Sequence, residues 1–231
     1  MALAMSAMLP GLAQAASFDA VALFASTPAA GPFTYGYRIG AAGFTAYDAS
    51  TGACAGISGL SCAYSSSFAN NDLPAVGLNT TGALISTGSV RIPTDVLFMH
   101  PVGVNSGLPS GATLVRFTAP GTGFYTVTGD FTLLDTSPSG VFVSVEGGSS
   151  GFAQSLTGAL NTAVAFSFGT ALIQGQTLDF VVGSADSYHN DSTGLRASIA
   201  EASTNVPEPA SAALIGLSLL GFAAMRRRGN R

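Results

Sequence analysis

The strongest constraint this chain places on its own fold is an alternation with period two. In Gly123–Leu133, Tyr125, Val127 and Phe131 share one parity, while Thr126, Thr128, Asp130 and Thr132 share the other. Successive side chains of a strand point to opposite faces, so such a segment rests one face on a core and wets the other. The pattern returns at Val115 and Phe117, at Val141, Val143 and Val145, and at Val164, Phe166 and Phe168. It returns again at Leu178, Phe180 and Val182, then at Leu195, Ala197 and Ile199. Turn formers separate these runs: Pro120-Gly121, Ser137-Pro138-Ser139-Gly140, Gly147-Gly148 and Gly175-Gln176. No convincing amphipathic helix and no fixed-period repeat accompany them. The pattern predicts an all-β fold, an antiparallel β-sandwich of jelly-roll type.

The first hundred or so positions are less regular. Strand candidates there are Phe18–Phe24, Phe33–Ile39 and Val96–Met99. Between Gly52 and Gly88 the chain is rich in Ser, Gly and Asn, which reads as loops or short edge strands of the same domain.

Charge narrows the partners. Only 9% of the 231 residues are charged, and the sequence has no lysine and no tryptophan. Hydrophobic residues make up 47%, enough Val, Ile, Leu and Phe to build a core, so disorder is not expected. Residues 16–205, read as one domain, carry eleven acids against four arginines, a formal charge of −7. Such a surface repels phosphate backbones and disfavours nucleic acid as a partner.

The two ends are different in kind. At the start an apolar run finishes in Ala13-Gln14-Ala15, the small-x-small pattern that signal peptidase requires. Residues 1–15 are therefore expected to be a signal peptide, cut after Ala15. No Lys or Arg precedes the run, which is the one missing part; the alternative is a buried N-terminal strand or helix. At the other end, Ala210–Met225 is sixteen residues without a charge, and Arg226, Arg227 and Arg228 follow at once. As a helix the run spans about 24 Å, short of the roughly 30 Å hydrocarbon core. Flanking residues and local bilayer thinning bridge the difference. The arginines stay cytoplasmic by the positive-inside rule, so the domain lies outside the cytoplasm. One C-terminal transmembrane helix and an inner-membrane intermediate are expected; the alternative is a buried terminal helix. Pro207 and Pro209 hold the backbone around Glu208 extended, a form a protease can bind.

Val206-Pro207-Glu208-Pro209, the apolar stretch and the Arg cluster together resemble the PEP-CTERM protein-sorting signal of Gram-negative bacteria. The same kind of tail also goes by the name ice-binding protein C-terminal domain. The resemblance covers residues 206–231. It implies export, recognition of Pro207-Glu208-Pro209 by an exosortase-type membrane protease, and a destination at the cell surface or beyond. It also implies a setting of exopolysaccharide and biofilm matrix. Val115–Phe131, Gly175–Gly183 and Tyr188–Leu195 are similar to the β-sandwich found upstream of many such tails. That sandwich is similar in outline to carbohydrate-binding jelly rolls.

Candidate sites are few. Cys54 and Cys62 are the only cysteines, with seven residues between them, and in an oxidising compartment two cysteines of one loop most simply form a disulfide. Metal ligation there would need His partners, but His100 and His189 are remote in sequence. Asp186, Asn190 and Asp191 gather oxygens in one turn, the donor type a structural calcium ion takes, without EF-hand spacing. The plainer reading is a loop whose Asp and Asn cap the backbone. Gly147-Gly-Ser149-Ser-Gly151 matches G-x-S-x-G formally, with His189 as the conceivable base of a hydrolase. Tyr35, Tyr37, Tyr47, Tyr64 and Tyr188 could stack on sugar rings, although the absence of Trp weakens that reading. Thr126, Thr128 and Thr132 are too short a ladder for an ice-binding face. The expectation is an exported, non-catalytic cell-surface or matrix protein that binds extracellular polysaccharide. The alternative is an extracellular serine hydrolase using Ser149 and His189.

Overall fold

A computed structural model describes residues 15–27, 31–68, 73–101, 111–185 and 189–202. All but the last residue of the expected signal peptide, Tyr188, Asp186 and the whole tail from Val206 onward lie outside the described residues. The strands are β1 (Ser17–Asp19), β2 (Phe33–Ile39), β3 (Thr45–Ala46), β4 (Ala49–Thr51), β5 (Leu60–Tyr64) and β6 (Ala75–Asn79). They continue with β7 (Ile85–Thr87), β8 (Val90–Ile92), β9 (Leu97–His100), β10 (Gly111–Thr118) and β11 (Gly123–Leu133). The last five are β12 (Val141–Glu146), β13 (Phe152–Leu156), β14 (Ala163–Leu172), β15 (Thr177–Ser184) and β16 (Thr193–Glu201). A single 3-10 turn, Cys54–Gly56, is the one helical element among the described residues. None of these is a helix long and apolar enough to cross a membrane, and the expected helix Ala210–Met225 lies outside them.

Two antiparallel sheets form the body. The larger runs β14-β11-β16-β9-β6-β5-β4, with β1 on the far end of β16, where Phe18 faces Ile199. The smaller runs β13-β12-β15-β10-β2-β3. Counted from β9 as the first, the last eight strands stand in the order 6-3-8-1 in one sheet and 5-4-7-2 in the other. β7 and β8 make a separate hairpin, tied to the body by a bridge from Val90 to Asp135. Ala16–Ala202 is one compact unit.

The core is the alternation made physical. Tyr125, Val127 and Phe131 of the larger sheet meet Val115, Phe117, Phe180 and Val182 of the smaller, all fully buried. The rings of Phe33, Phe18 and Tyr125 surround that of Phe117 at 5.3 to 6.0 Å. Val141, Val143 and Val145, then Leu195, Ala197 and Ile199, bury the parity the sequence assigns inward. Gly129 lets two strands close up: a Cβ there would stand 2.0 Å from the Arg196 carbonyl and 2.5 Å from the Phe166 ring.

Two local expectations need correction. Phe18–Phe24 is not one strand: β1 ends at Asp19, whose Oδ1 accepts the Ala22 N–H at 2.8 Å while its carbonyl accepts that of Leu23. An aspartate bonding its own following backbone starts a turn. The Gly52–Gly88 region is more than loop and edge. β5 and β6 are interior strands of the larger sheet. They bury Leu60, Cys62 and Ala75 in a second cluster with Ile92, Phe98 and Leu134.

Candidate functional site

Cys54 and Cys62 are joined in a disulfide, with Cα atoms 5.8 Å apart. Both sulfurs sit in that second cluster, fully buried. The bond ties the 3-10 turn to β5.

The serine-histidine reading fails on geometry. Ser149 lies three residues past Glu146, where β12 ends, whereas the His189 carbonyl accepts the Ser139 hydroxyl at 3.0 Å, just before β12 begins. Six residues at about 3.3 Å each place those two ends roughly 20 Å apart. Ser149 instead meets Thr170, its N–H donating to the Thr170 hydroxyl at 2.9 Å. The segment after Gly151 is strand β13, not the helix a nucleophile elbow needs.

The tyrosines also correct the sequence reading. Tyr35 and Tyr47 are buried, and their outer edges join Leu23, Ala25, Phe33 and Ala63 around an apolar cavity of about 320 Å³. Burial pushes the Tyr35 hydroxyl up to about 12, with the Ala25 backbone acting the other way. The Tyr47 hydroxyl meets that of Thr113 at 2.9 Å, and burial pushes it well above the ordinary tyrosine range. Tyr37 is half-buried, stacked on Tyr47 and edge-on to Phe68. Tyr64 packs on the second cluster, and Tyr188 lies outside the described residues. None of the four described forms an open platform. On β2, Phe33, Tyr35, Tyr37 and Ile39 share one parity against Thr34, Gly36 and Arg38, so alternation carries the signal that Tyr35 and Tyr37 point inward; Tyr47 lies between β3 and β4, where no run sets its face.

The outer face of the smaller sheet is what the sequence reading missed. Ala112, Leu114 and Val181 form its floor, covered by Phe44. Gly36 makes the cover fit, since a Cβ there would meet the Phe44 ring at 2.6 Å and the Thr45 carbonyl at 2.2 Å. Arg116 lies 3.9 Å over the Phe44 ring and grips Asp179 with two bonds of 2.7 Å. Arg38 of β2 grips Glu146 of β12 with bonds of 2.6 and 2.7 Å. β10 and β15 lie between them. In a flat sheet, three strand spacings across and four residues along would part their backbones by about 19 Å, beyond the joint reach of the two side chains. The face is therefore concave along that diagonal. Phe142, 58% exposed, stands on it. The bond to Arg38 holds the Glu146 carboxyl below the usual carboxylate range.

The acidic turn gains members that sequence spacing hid. Asp135, after β11, and Asp191, before β16, are both fully buried. Asp135 accepts the Ser89 hydroxyl at 2.6 Å and the Ser192 N–H at 2.8 Å. Ser89 also stands 3.1 Å from the Asn190 side-chain oxygen, and the Ser139 hydroxyl bonds Asp191. Burial first, and Asp135 second among the raising influences, push the Asp191 carboxyl up to about 6. Asp186, the third residue of the expected calcium set, lies outside the described residues. Among the described residues no three His, Cys, Asp or Glu side chains converge as a metal site.

Residues 205–228 match the PEP-CTERM protein-sorting motif. The chain carries a PEP-CTERM sorting tail. That tail marks an exported protein handled by an exosortase-type system. No curated protein matches the sequence. Solved structures similar to this PEP-CTERM protein include a family 35 carbohydrate-binding module from Clostridium thermocellum, 13% identical, with TM-score 0.31 over 50% of this chain and 85% of that one. The CBM6cm-2 module of Cellvibrio mixtus lichenase 5A, in complex with cellotriose, is 10% identical with TM-score 0.25, over 68% and 92%. The PRD1 vertex protein P5 is 14% identical with TM-score 0.29, over 73% and 95%. Scores this low transfer no ligand and no activity.

Proposed function

We propose that this is a non-catalytic cell-surface or extracellular-matrix protein built on a jelly-roll sandwich and delivered by its tail. The single observation that carries the reading is the sorting motif at residues 205–228. The tail spans the inner membrane as a transient helix, Ala210–Met225, held by Arg226, Arg227 and Arg228. The exosortase-type protease recognises Pro207-Glu208-Pro209 in its extended form. Signal peptidase removes residues 1–15. The buried Cys54–Cys62 bond fits an oxidising destination. The 6-3-8-1 and 5-4-7-2 strand orders support the jelly-roll reading.

At the surface the protein adheres to extracellular polysaccharide through the concave face of the smaller sheet. Phe142 offers an apolar ring for a pyranose, and the Arg38–Glu146 and Arg116–Asp179 pairs offer hydrogen-bonding groups beside it. Intact-mass measurement on protein from the host tests the delivery. Loss of residues 1–15 and of the segment after about Val206 supports it; a full-length cytosolic product overturns it. Retention on the host's purified polysaccharide, lost in Phe142→Ala, tests the adhesion. No retention of the wild type on any polymer reduces the role to a structural one.

A further inference from the structure

Two buried aspartates with no arginine partner among the described residues stand where three chain crossings meet: the β7–β8 hairpin, the β11–β12 loop and the β15–β16 loop. The four arginines of the domain are all engaged elsewhere. Arg38 bonds Glu146, Arg116 bonds Asp179, and Arg196 bonds Asp95 and Asp130. Arg91 donates to the carbonyls of Gly88 and Val90. The sequence holds no lysine. Among the described residues Asp135 and Asp191 therefore have no permanently charged side chain against them, at full burial. Isolated buried carboxylates are among the most costly groups a fold can contain.

Neutral oxygens crowd the same place. The Ser139 hydroxyl lies 3.0 Å from the His189 carbonyl and also bonds one oxygen of Asp191. The Ser89 hydroxyl lies between Asp135 and Asn190, at 2.6 and 3.1 Å. A hydroxyl has one proton and cannot serve two acceptors at once. The second oxygen of Asp191, Oδ2, is buried and meets no donor among the described residues. The Gly140 N–H also acts on the Asp191 carboxyl but leaves Oδ2 without a donor, and carboxylate, amide and carbonyl oxygens gathered beside exposed His189 and Asn190 are the donor set of a hard cation.

We propose that Asp191 binds a calcium-type divalent cation through its unpartnered oxygen. Asp135 supplies the second negative charge, and Ser139, Asn190 and the His189 carbonyl supply neutral oxygens. The ion would fasten the β15–β16 loop to the β11–β12 loop. Only two carboxylates converge, so water completes the shell and the site is of modest affinity. Extracellular calcium modules bind at roughly 10⁻⁴–10⁻³ M, a range an exported protein can use.

The test uses the purified protein, stripped with a chelator and dialysed. Calcium chloride alone and magnesium chloride alone are titrated to about 5 mM, well above that range, by calorimetry and by thermal melting. The expected result is one calcium per chain, a melting temperature raised by several degrees, and a weaker response to magnesium. Asp191→Asn should bind about tenfold more weakly or worse, in line with the loss of a ligand. Ser139→Ala, which leaves both carboxylates in place, should fold and still weaken binding. It keeps the test decisive if the Asn variant does not fold. Absence of calcium binding by the wild type overturns the proposal, as does magnesium binding more tightly than calcium. Variants that bind calcium as well as the wild type also overturn it.

Discussion

Replacing both Cys54 and Cys62 by Ala should lower the melting temperature by roughly 7–14 °C, and the figure can be worked from the structure. The bond closes a loop whose ends are eight residues apart in sequence. In the chain-entropy account, opening a loop of that length frees the unfolded chain by about 2.5 kcal/mol at 25 °C. For a domain of this size each kcal/mol moves the midpoint by about 2–4 °C. Losing two sulfurs from the cluster of Leu60, Ile92, Val96, Phe98 and Leu134 adds a small void, on the order of 1 kcal/mol more. The double Ser variant separates the two contributions. It frees the same loop but buries two hydroxyls in that cluster, each costing about 1–3 kcal/mol if it finds no partner. It should therefore melt below the Ala variant. The assay is calorimetry or circular dichroism on the purified proteins, with oxidation of the wild type confirmed by mass. An Ala variant that melts within 2 °C of the wild type would refute the reasoning, because the loop would then be ordered without its cross-link.

Phe117→Ala should cost about 3–5 kcal/mol in denaturant unfolding, since the ring is fully buried among Phe18, Phe33 and Tyr125. Gly129→Ala, which forces a methyl to 2.0 Å from the Arg196 carbonyl, should cost on the order of 2 kcal/mol or more; an unchanged midpoint would mean β11 and β16 separate freely. Glu146 has a folded-state pKa held down by Arg38, so its contribution is complete above the ordinary Glu range and is lost as pH falls through the folded value. The pair is partly exposed, so the effect is small; stability against pH should show a shallow acid-side slope that flattens in Glu146→Gln, and an identical slope in the variant would remove the pair as its source.

The outcome at each place follows from whether the signal was local. β2 coincides with the expected Phe33–Ile39, and every run that alternates from Val115 to Ile199 is a strand with the expected face inward. Alternation reports on one strand at a time, so it could be read without knowing the partners. β5 and β6 do not alternate cleanly, because the larger sheet buries them on both faces and Leu60, Cys62, Ala63, Ala75 and Val76 all face packed neighbours. The aromatic reading failed for a different reason: Tyr35 shares its parity with Phe33, Tyr37 and Ile39, a local signal that marks it as inward, whereas Tyr47 sits between two short strands with no run to set its face.

Sequence alone determined that this chain is a punctuated series of strands ending in a sorting tail, because strand period, turn residues and the Pro-Glu-Pro, apolar and arginine order are all short-range patterns. Tertiary structure alone decided which strands stand side by side, and with that where charge collects. Arg38 meets Glu146 across 108 residues, and Ser139 meets Asp191 across 52. Such pairings arise only when distant strands settle into one sheet, since the cost of closing long loops is recovered by the sandwich core as a whole and by no single segment.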